Sequence, residues 1–368
     1  MISTKRFTSL LLVFCITTLI FCAGCTAAPE SSGIHIAVQN DRTGNMLVSF
    51  AEQYQEQAPV LVSQFDTWDQ IDPDSDLIIV DVPTLQILLE QSKIRPITML
   101  SDGSLNKTTF DYIMLEPYTI GSDLYGLPLN PDMLGYVLWT ELFTAEDEIQ
   151  AFKNTYGYDI GNPLTYHELL DITEFISRLD EERYGIGIAG SDVLDNLYLN
   201  ILLSYGKDPS DEDVQEAETV FQDLLLYTPP DYTIWNREDV TNALLERAVQ
   251  SAITYFSEFE TLSSPENNPN GDTFIFLPLP GSWNSKESFH SVSIPGGSVF
   301  AVPNTPVDNT EVIGFLQWFY QPDIQWKWME NGMQPMIFEI QDSWEYLMAN
   351  GYNAAYIISL RNQVKMDT

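Results

Sequence analysis

The sequence contains three cysteines, and all of them, Cys15, Cys22 and Cys25, fall within its first 25 residues. Nothing downstream can build a disulfide framework, a thiolate nucleophile or a thiolate metal site. Histidine is equally scarce. His35, His167 and His290 stand far apart, without the clustering a zinc site needs. Basic side chains are few, 16 against 53 acidic ones, and the formal net charge is −37. A surface of that sign repels nucleic acid and anionic ligands. No phosphate loop, dinucleotide fingerprint, His-Glu-x-x-His or Gly-x-Ser-x-Gly is present, so those sequence-marked chemistries are missing. Carboxylate pairs suited to glycoside hydrolysis arise by chance among 53 acids and stay open. No catalytic residue, metal or cofactor is expected.

What the chain does have is apolar content: 44% hydrophobic and 12% aromatic residues over 368 positions. That suffices for a large core and about two domains. The N-terminus reads as a targeting signal at residues 1–24. Lys5 and Arg6 precede an apolar run from Phe7 to Phe21, too short for a comfortable membrane span. Ala23-Gly24-Cys25 then resembles the bacterial lipoprotein signal, in which cleavage precedes a Cys that takes the lipid. Cys22 stands where that pattern usually has Leu, and an ordinary secretory signal is the alternative. Residues 25–33 are small and polar and read as a flexible tether.

Folded structure is expected from Ile34. Ile34, Ile36 and Val38 alternate as in a strand, and Met46 to Tyr54 have helical spacing. Val60 to Phe65 suggests the next strand. Leu77-Ile78-Ile79-Val80 is a continuous apolar run, typical of a strand covered on both faces. A helix over 85–90 follows. Strand alternating with helix implies a parallel sheet whose ligands bind beyond the carboxyl ends of the strands. That places Asn40, Asp41, Asp66, Trp68 and Asp81 near a mouth. Leu124 to Pro131, with Gly126, Pro128 and Pro131, marks a strand that bends or changes neighbours. Phe274 to Gly281 has the same character, so both segments are expected to cross between two lobes. Between them, Thr165 to Glu168 predicts a capping box, and Val240 to Ile253 carries apolar residues on one helix face.

The order of these pieces resembles the extracellular carbohydrate-binding proteins of bacterial ATP-binding cassette importers, relatives of maltose-binding proteins. The resemblance rests on residues 76–82 and 94–97, Leu124 to Pro128, Leu142-Phe143, Leu164 to Leu170, Leu277 to Gly281, Gly296 to Pro303, and Phe315 to Gln334-Pro335. Leu138-Trp139-Thr140 and Asn242 to Tyr255 depart from the family pattern. The resemblance implies an α/β, two-lobed periplasmic-binding-protein-like fold. Each lobe would be a mixed sheet flanked by helices, with the ligand cleft between them. On that reading the first lobe comprises 34–130 and 278–309, and the second 131–277 and 310–368.

The implied ligand is a small saccharide. Aromatic rings cover sugar C–H faces, while Asp, Asn and Glu take the hydroxyls. The stacking candidates are Trp68, Tyr125, Trp235, Tyr255 and Trp283. For hydroxyl recognition they are Asn40, Asp41, Asp66, Asn130, Asp192, Asn236 and Glu258. Gly296-Gly297 either lets backbone approach the ligand or is only a turn. Each Trp is alternatively core packing, and each Asp a solvated charge. The expected protein is a monomeric, lipid-anchored receptor on the extracellular face of the cell membrane, delivering its sugar to membrane permease subunits. A surface lipoprotein without a transport role and a glycan-degrading enzyme are the alternatives.

Overall fold

The computed structural model describes residues 33–341 and 343, apart from 55–57, 99–102, 104, 106–108, 111–114, 192, 264–266, 269–272 and 306–309. The signal, Cys25, nearly all of the tether, Asp192 and the segment after 343 lie outside the described residues. Among the described residues no helix is long and apolar enough to cross a membrane.

The first lobe begins with β1 (Ile34–Gln39), α1 (Arg42–Ala51), β2 (Val60–Phe65), β3 (Leu77–Asp81) and α2 (Val82–Glu90). β1 pairs in parallel with both β2 and β3. Each helix starts where a strand ends, on an aspartate cap. Asp41 accepts the Gly44 amide at 2.7 Å, and Asp81 accepts the Thr84 amide at 2.8 Å. Such caps satisfy first-turn N–H groups that have no partner within the helix. Short strands β4 (Ile94–Arg95), β5 (Thr119–Ile120) and β6 (Asp123–Leu124) lead into β7 (Leu127–Trp139).

β7 joins the lobes. It is buried along all 13 residues and changes neighbours halfway. Leu127–Met133 pairs with β13 (Pro295–Pro303), which in turn pairs with β3. Leu134–Leu138 pairs with β9 (Ser251–Tyr255), and Gly135–Trp139 with β10 (Phe274–Pro278). The β7–β13 register shifts between Ser298 and Val299, leaving Leu129 as an extra residue between Pro128 and Asn130. A bulge tolerates prolines that cannot donate to the ladder.

The second lobe adds α3 (Glu146–Tyr156), α4 (Tyr166–Ile176), β8 (Gly187–Ile188), α5 (Leu194–Leu203), α6 (Asp211–Leu225), α7 (Arg237–Leu245) and α8 (Phe256–Ser263) around β9. The Thr165 hydroxyl accepts the Glu168 amide at 3.2 Å, but the Glu168 carboxylate returns to the Leu164 amide at 2.6 Å, one residue before the expected partner. The helical stripe expected over 240–253 is two elements, α7 and β9. The backbone turns left-handed at Arg247, φ 62°, which ends the helical path. Ser251–Thr254 then form a strand buried on both faces.

The lobe boundaries differ from expectation in two places. Phe274–Pro278 does not cross; it lies wholly against the second half of β7. The hairpin β11 (Ser282–Trp283) and β12 (Phe289–His290) stays with it, since Asn284 donates to the Tyr205 carbonyl at 3.1 Å and the Ser285 amide to Asp213 at 2.7 Å. The second crossing is the start of β13. The helices α9 (Thr310–Phe319) and α10 (Pro322–Glu330) also belong with the first lobe. Phe315 and Trp318 pack edge-on or tilted against Tyr54, and Trp328 against Phe50. Burying those large rings together outweighs chain order. The short helix α11 (Phe338–Gln341) follows.

Candidate functional site

A cavity of about 250 Å³ opens where β7 and β13 cross. Its lips are built from the carboxyl ends of strands and the first turns of helices, the place an α/β sheet offers a ligand. The first lobe supplies Gln39, Asp41, Arg42, Thr43, Asp81 and Pro83, and the second Asn196, Arg237, Tyr255, Ser257 and Glu258. The crossing strands form the floor with Asn130, Asp132 and Gly296 to Ser298.

The floor is rigid. Buried Asp132 accepts the Ser257 hydroxyl at 2.6 Å, the Ser257 amide at 3.1 Å and the Met133 amide at 3.0 Å. Burial pushes its carboxyl up, while the Ser257 bonds and the Arg237 charge pull it back. Asn130 accepts the Gln334 amide at 2.8 Å and donates to the Thr43 hydroxyl at 3.4 Å. Gly297, at φ +77°, sits so close to β7 that a Cβ there would lie 2.0 Å from the Asn130 carbonyl oxygen. At Gly296 a Cβ would lie 2.9 Å from both the Asp132 oxygen and the Tyr255 ring.

The walls are polar. Gln39 and Asp81 exchange two bonds, each 3.0 Å, one from the Gln39 amide to the carboxylate and one from the Asp81 N–H to Gln39 Oε1. Burial raises the Asp41 carboxyl, the neighbouring Asp81 charge adds to this, and the Gly44 amide opposes it. The Tyr255 hydroxyl accepts from Asn196 at 2.8 Å, and Arg237 lies over the Tyr255 ring, 5.2 Å from its centroid. Arg42, from the first lobe, reaches the Ser257 carbonyl at 3.4 Å and the Gly332 carbonyl at 3.1 Å. Glu258 accepts from the Thr241 hydroxyl at 3.5 Å.

Of the residues expected to bind ligand, Asp41, Asn130, Tyr255, Glu258, Gly296 and Gly297 line this cavity. The others that are described do not. Asn40 donates to Asp66 at 2.9 Å on the exposed surface. Trp68 walls a separate cavity of about 630 Å³ floored by Ile78 and Leu88. Tyr125 and Trp235 pack partly buried against the core. Asn236 is spent capping α7 through the Asp239 amide. Trp283 is 62% exposed beside Phe289, on the outer hairpin. Sequence reasoning placed Asp81 near a mouth without assigning it to the ligand, and it missed Arg42, Asp132, Asn196, Arg237 and Ser257. The usable signal for Asp81 was its place between a strand and a proline-started helix. Arg237 directly follows the helix cap Asn236.

A two-lobed α/β clamp with a small polar cavity at its strand crossing defines a solute-binding architecture. The chain belongs to the bacterial extracellular solute-binding protein family, which it matches over residues 42–349. Solved structures with the same fold include an ATP-binding cassette transporter solute-binding protein from Agrobacterium radiobacter K84 in complex with ribitol. It has 13% identity and a TM-score of 0.70, over 91% of this chain and 88% of that one. Maltose-bound MalE3 of T. maritima has 15% identity and a TM-score of 0.68, over 90% and 89% of the two chains. A solute-binding protein from Thermotoga lettingae bound to α-D-tagatose has 20% identity and a TM-score of 0.62, over 88% and 86%. No curated protein matches the sequence. The family and these structural relatives are binding proteins rather than enzymes.

Proposed function

We propose that this chain is a lipid-anchored receptor that captures a small saccharide or polyol between its lobes. Cys25 carries the lipid, residues 25–33 tether the clamp to the extracellular face of the membrane, and the closed form delivers its cargo to the permease subunits of an ATP-binding cassette importer. The observation that carries this reading is the cavity itself. It sits at the lobe junction, and both lobes contribute hydrogen-bonding side chains to it. At about 250 Å³ it falls below the roughly 300–1,000 Å³ of sites for drug-sized ligands, which suits a monosaccharide or alditol better than a long oligosaccharide. Asp41 and Glu258 are assigned to accept from ligand hydroxyls, Tyr255 to cover an apolar face, and Gly296-Gly297 to let the backbone approach. The ribitol, maltose and tagatose complexes of structural relatives support the same ligand chemistry. A surface lipoprotein that kept the fold and lost its pocket fits poorly with this open, two-sided cavity.

Isothermal titration of the chain against alditols, hexoses and disaccharides tests the reading. Binding at a one-to-one ratio, tighter for single-ring or open-chain polyols than for longer sugars, is the expected result. Binding to peptides or metal ions with none to any polyhydroxylated compound removes the carbohydrate assignment.

A further inference from the structure

The charges around the cavity do not balance. Among the described residues that line it, Asp41, Asp81, Asp132 and Glu258 face it against two guanidiniums, Arg42 and Arg237. Both cations are already engaged. Arg42 donates to the Ser257 and Gly332 carbonyls and Arg237 lies over the Tyr255 ring, neutral partners that leave two positive charges to set against four carboxylates.

The carboxylates differ in how far they are filled. Asp132 is saturated by Ser257 and Met133. Asp41, by contrast, takes one short bond, from the Gly44 amide on Oδ1, with the Thr43 amide as a weaker neighbour. Glu258 has the 3.5 Å contact from Thr241. These two under-filled acceptors come from opposite lobes. The helix N-termini at the first lip, which would otherwise attract an anion, are occupied by the chain's own Asp41 and Asp81.

A neutral polyol fills open acceptors but leaves the excess negative charge in place. An anionic sugar adds to it. An ammonium group both donates to the carboxylate oxygens and offsets the charge.

We infer that the cleft selects a small saccharide or polyol bearing a protonated amine, held between Asp41 and Glu258. This rests on the reading of the cleft as a site for polyhydroxylated solutes. The burial-raised carboxyl of Asp41, pushed further by Asp81, is consistent with a site that a cation complements.

The test is isothermal titration of the full chain at pH 6.5 against matched pairs: glucosamine with glucose, galactosamine with galactose, and mannosamine with mannose. Glucuronate is the anionic arm. At least one amino member should bind about tenfold or more tightly than its neutral partner, as a charge-assisted bond exceeds a neutral one, and glucuronate should not bind. Glu258→Gln should weaken the amino member more than its neutral partner and so narrow the gap within a pair, with a thermal melt of the variant checking that the fold is kept. Neutral members binding as tightly as their amino partners, or glucuronate binding tightest, overturns the charge inference and leaves polyol capture standing. Binding by no member of the panel overturns polyol capture, and the inference with it.

Discussion

Among the described residues of the inter-lobe cavity one aromatic, Tyr255, stands among carboxylates, amides and guanidiniums. On the outer face of the second lobe Trp283 is 62% exposed beside Phe289, with ring centroids 5.3 Å apart. By residue type alone the outer hairpin looks like the sugar platform and the cavity does not. The difference lies in what positions each group. The cavity side chains hang from strand ends, helix first turns and the crossing strands, whose paired backbones tie these pieces together. Trp283 sits on a two-residue strand of a separate two-stranded sheet. Residue chemistry says what a side chain can contact, and topology decides whether both lobes reach the same solute.

The comparison breaks most sharply at the cavity floor. Gly297 has φ +77° and lies against the Asn130 carbonyl, whereas Gly121, at φ +60°, has no atom within 4 Å of a would-be Cβ. Gly297→Ala should therefore lower unfolding stability by about 3 kcal/mol, from left-handed strain together with a backbone collision. Gly121→Ala carries only the strain, about 1 kcal/mol. Urea unfolding of both variants measures the difference. Equal losses would mean that the crossing is soft, and the cavity no better built than a surface turn.

A smaller effect is expected on the first lip. Asp41→Asn keeps a good helix cap but removes the charge, and should weaken solute binding about tenfold. The pH dependence has a definite sign. Burial raises the Asp41 carboxyl, so on acidification wild-type affinity should start to fall above the ordinary carboxylate range near pH 4, as the acceptor protonates. Asp41→Asn should lose that part of the profile. The unliganded fold behaves oppositely. Asp41 and Asp132 bind a proton more tightly when folded, so their protonation adds stability as pH falls from the raised value towards the unfolded one. Titration calorimetry across pH 4 to 7 reads the first effect and urea midpoints the second; an unchanged profile in Asp41→Asn removes Asp41 from the contact set.

Much of this arrangement was legible along the chain. Leu77 to Val80 reads as a covered strand because every position is apolar, and it is one. The prolines and glycine before Met133 mark a strand that changes neighbours, and β7 does so. Phe274 to Gly281 misleads because the same Pro-flanked pattern also suits a strand that stays in one lobe; its partner, Gly135–Trp139, is set by register rather than composition. α9 belongs to the first lobe through rings that meet Tyr54 only after folding. The cavity was half visible. Asp41 follows a strand, as ligand-facing residues of α/β sheets do. Arg42 and Arg237 read as ordinary surface cations, since nothing local shows that each faces a cleft.

The smallest expected effect concerns the tryptophans. Trp283→Ala should leave solute affinity within about twofold of wild type, because Trp283 lies outside the lining of the inter-lobe cavity. Trp68→Ala should do the same, since its ring walls a cavity lined by Ile78, Leu88 and Lys93 and shares no lining residue with the crossing. Trp68 packs partly buried against the core, so its removal costs some stability, whereas Trp283 contacts chiefly its hairpin neighbour Phe289. Titration calorimetry on the two variants, with thermal melts alongside, separates these effects. A tenfold loss of affinity in Trp283→Ala, with an unchanged melt, would place solute on the outer hairpin and reverse the roles of the aromatic and carboxylate groups.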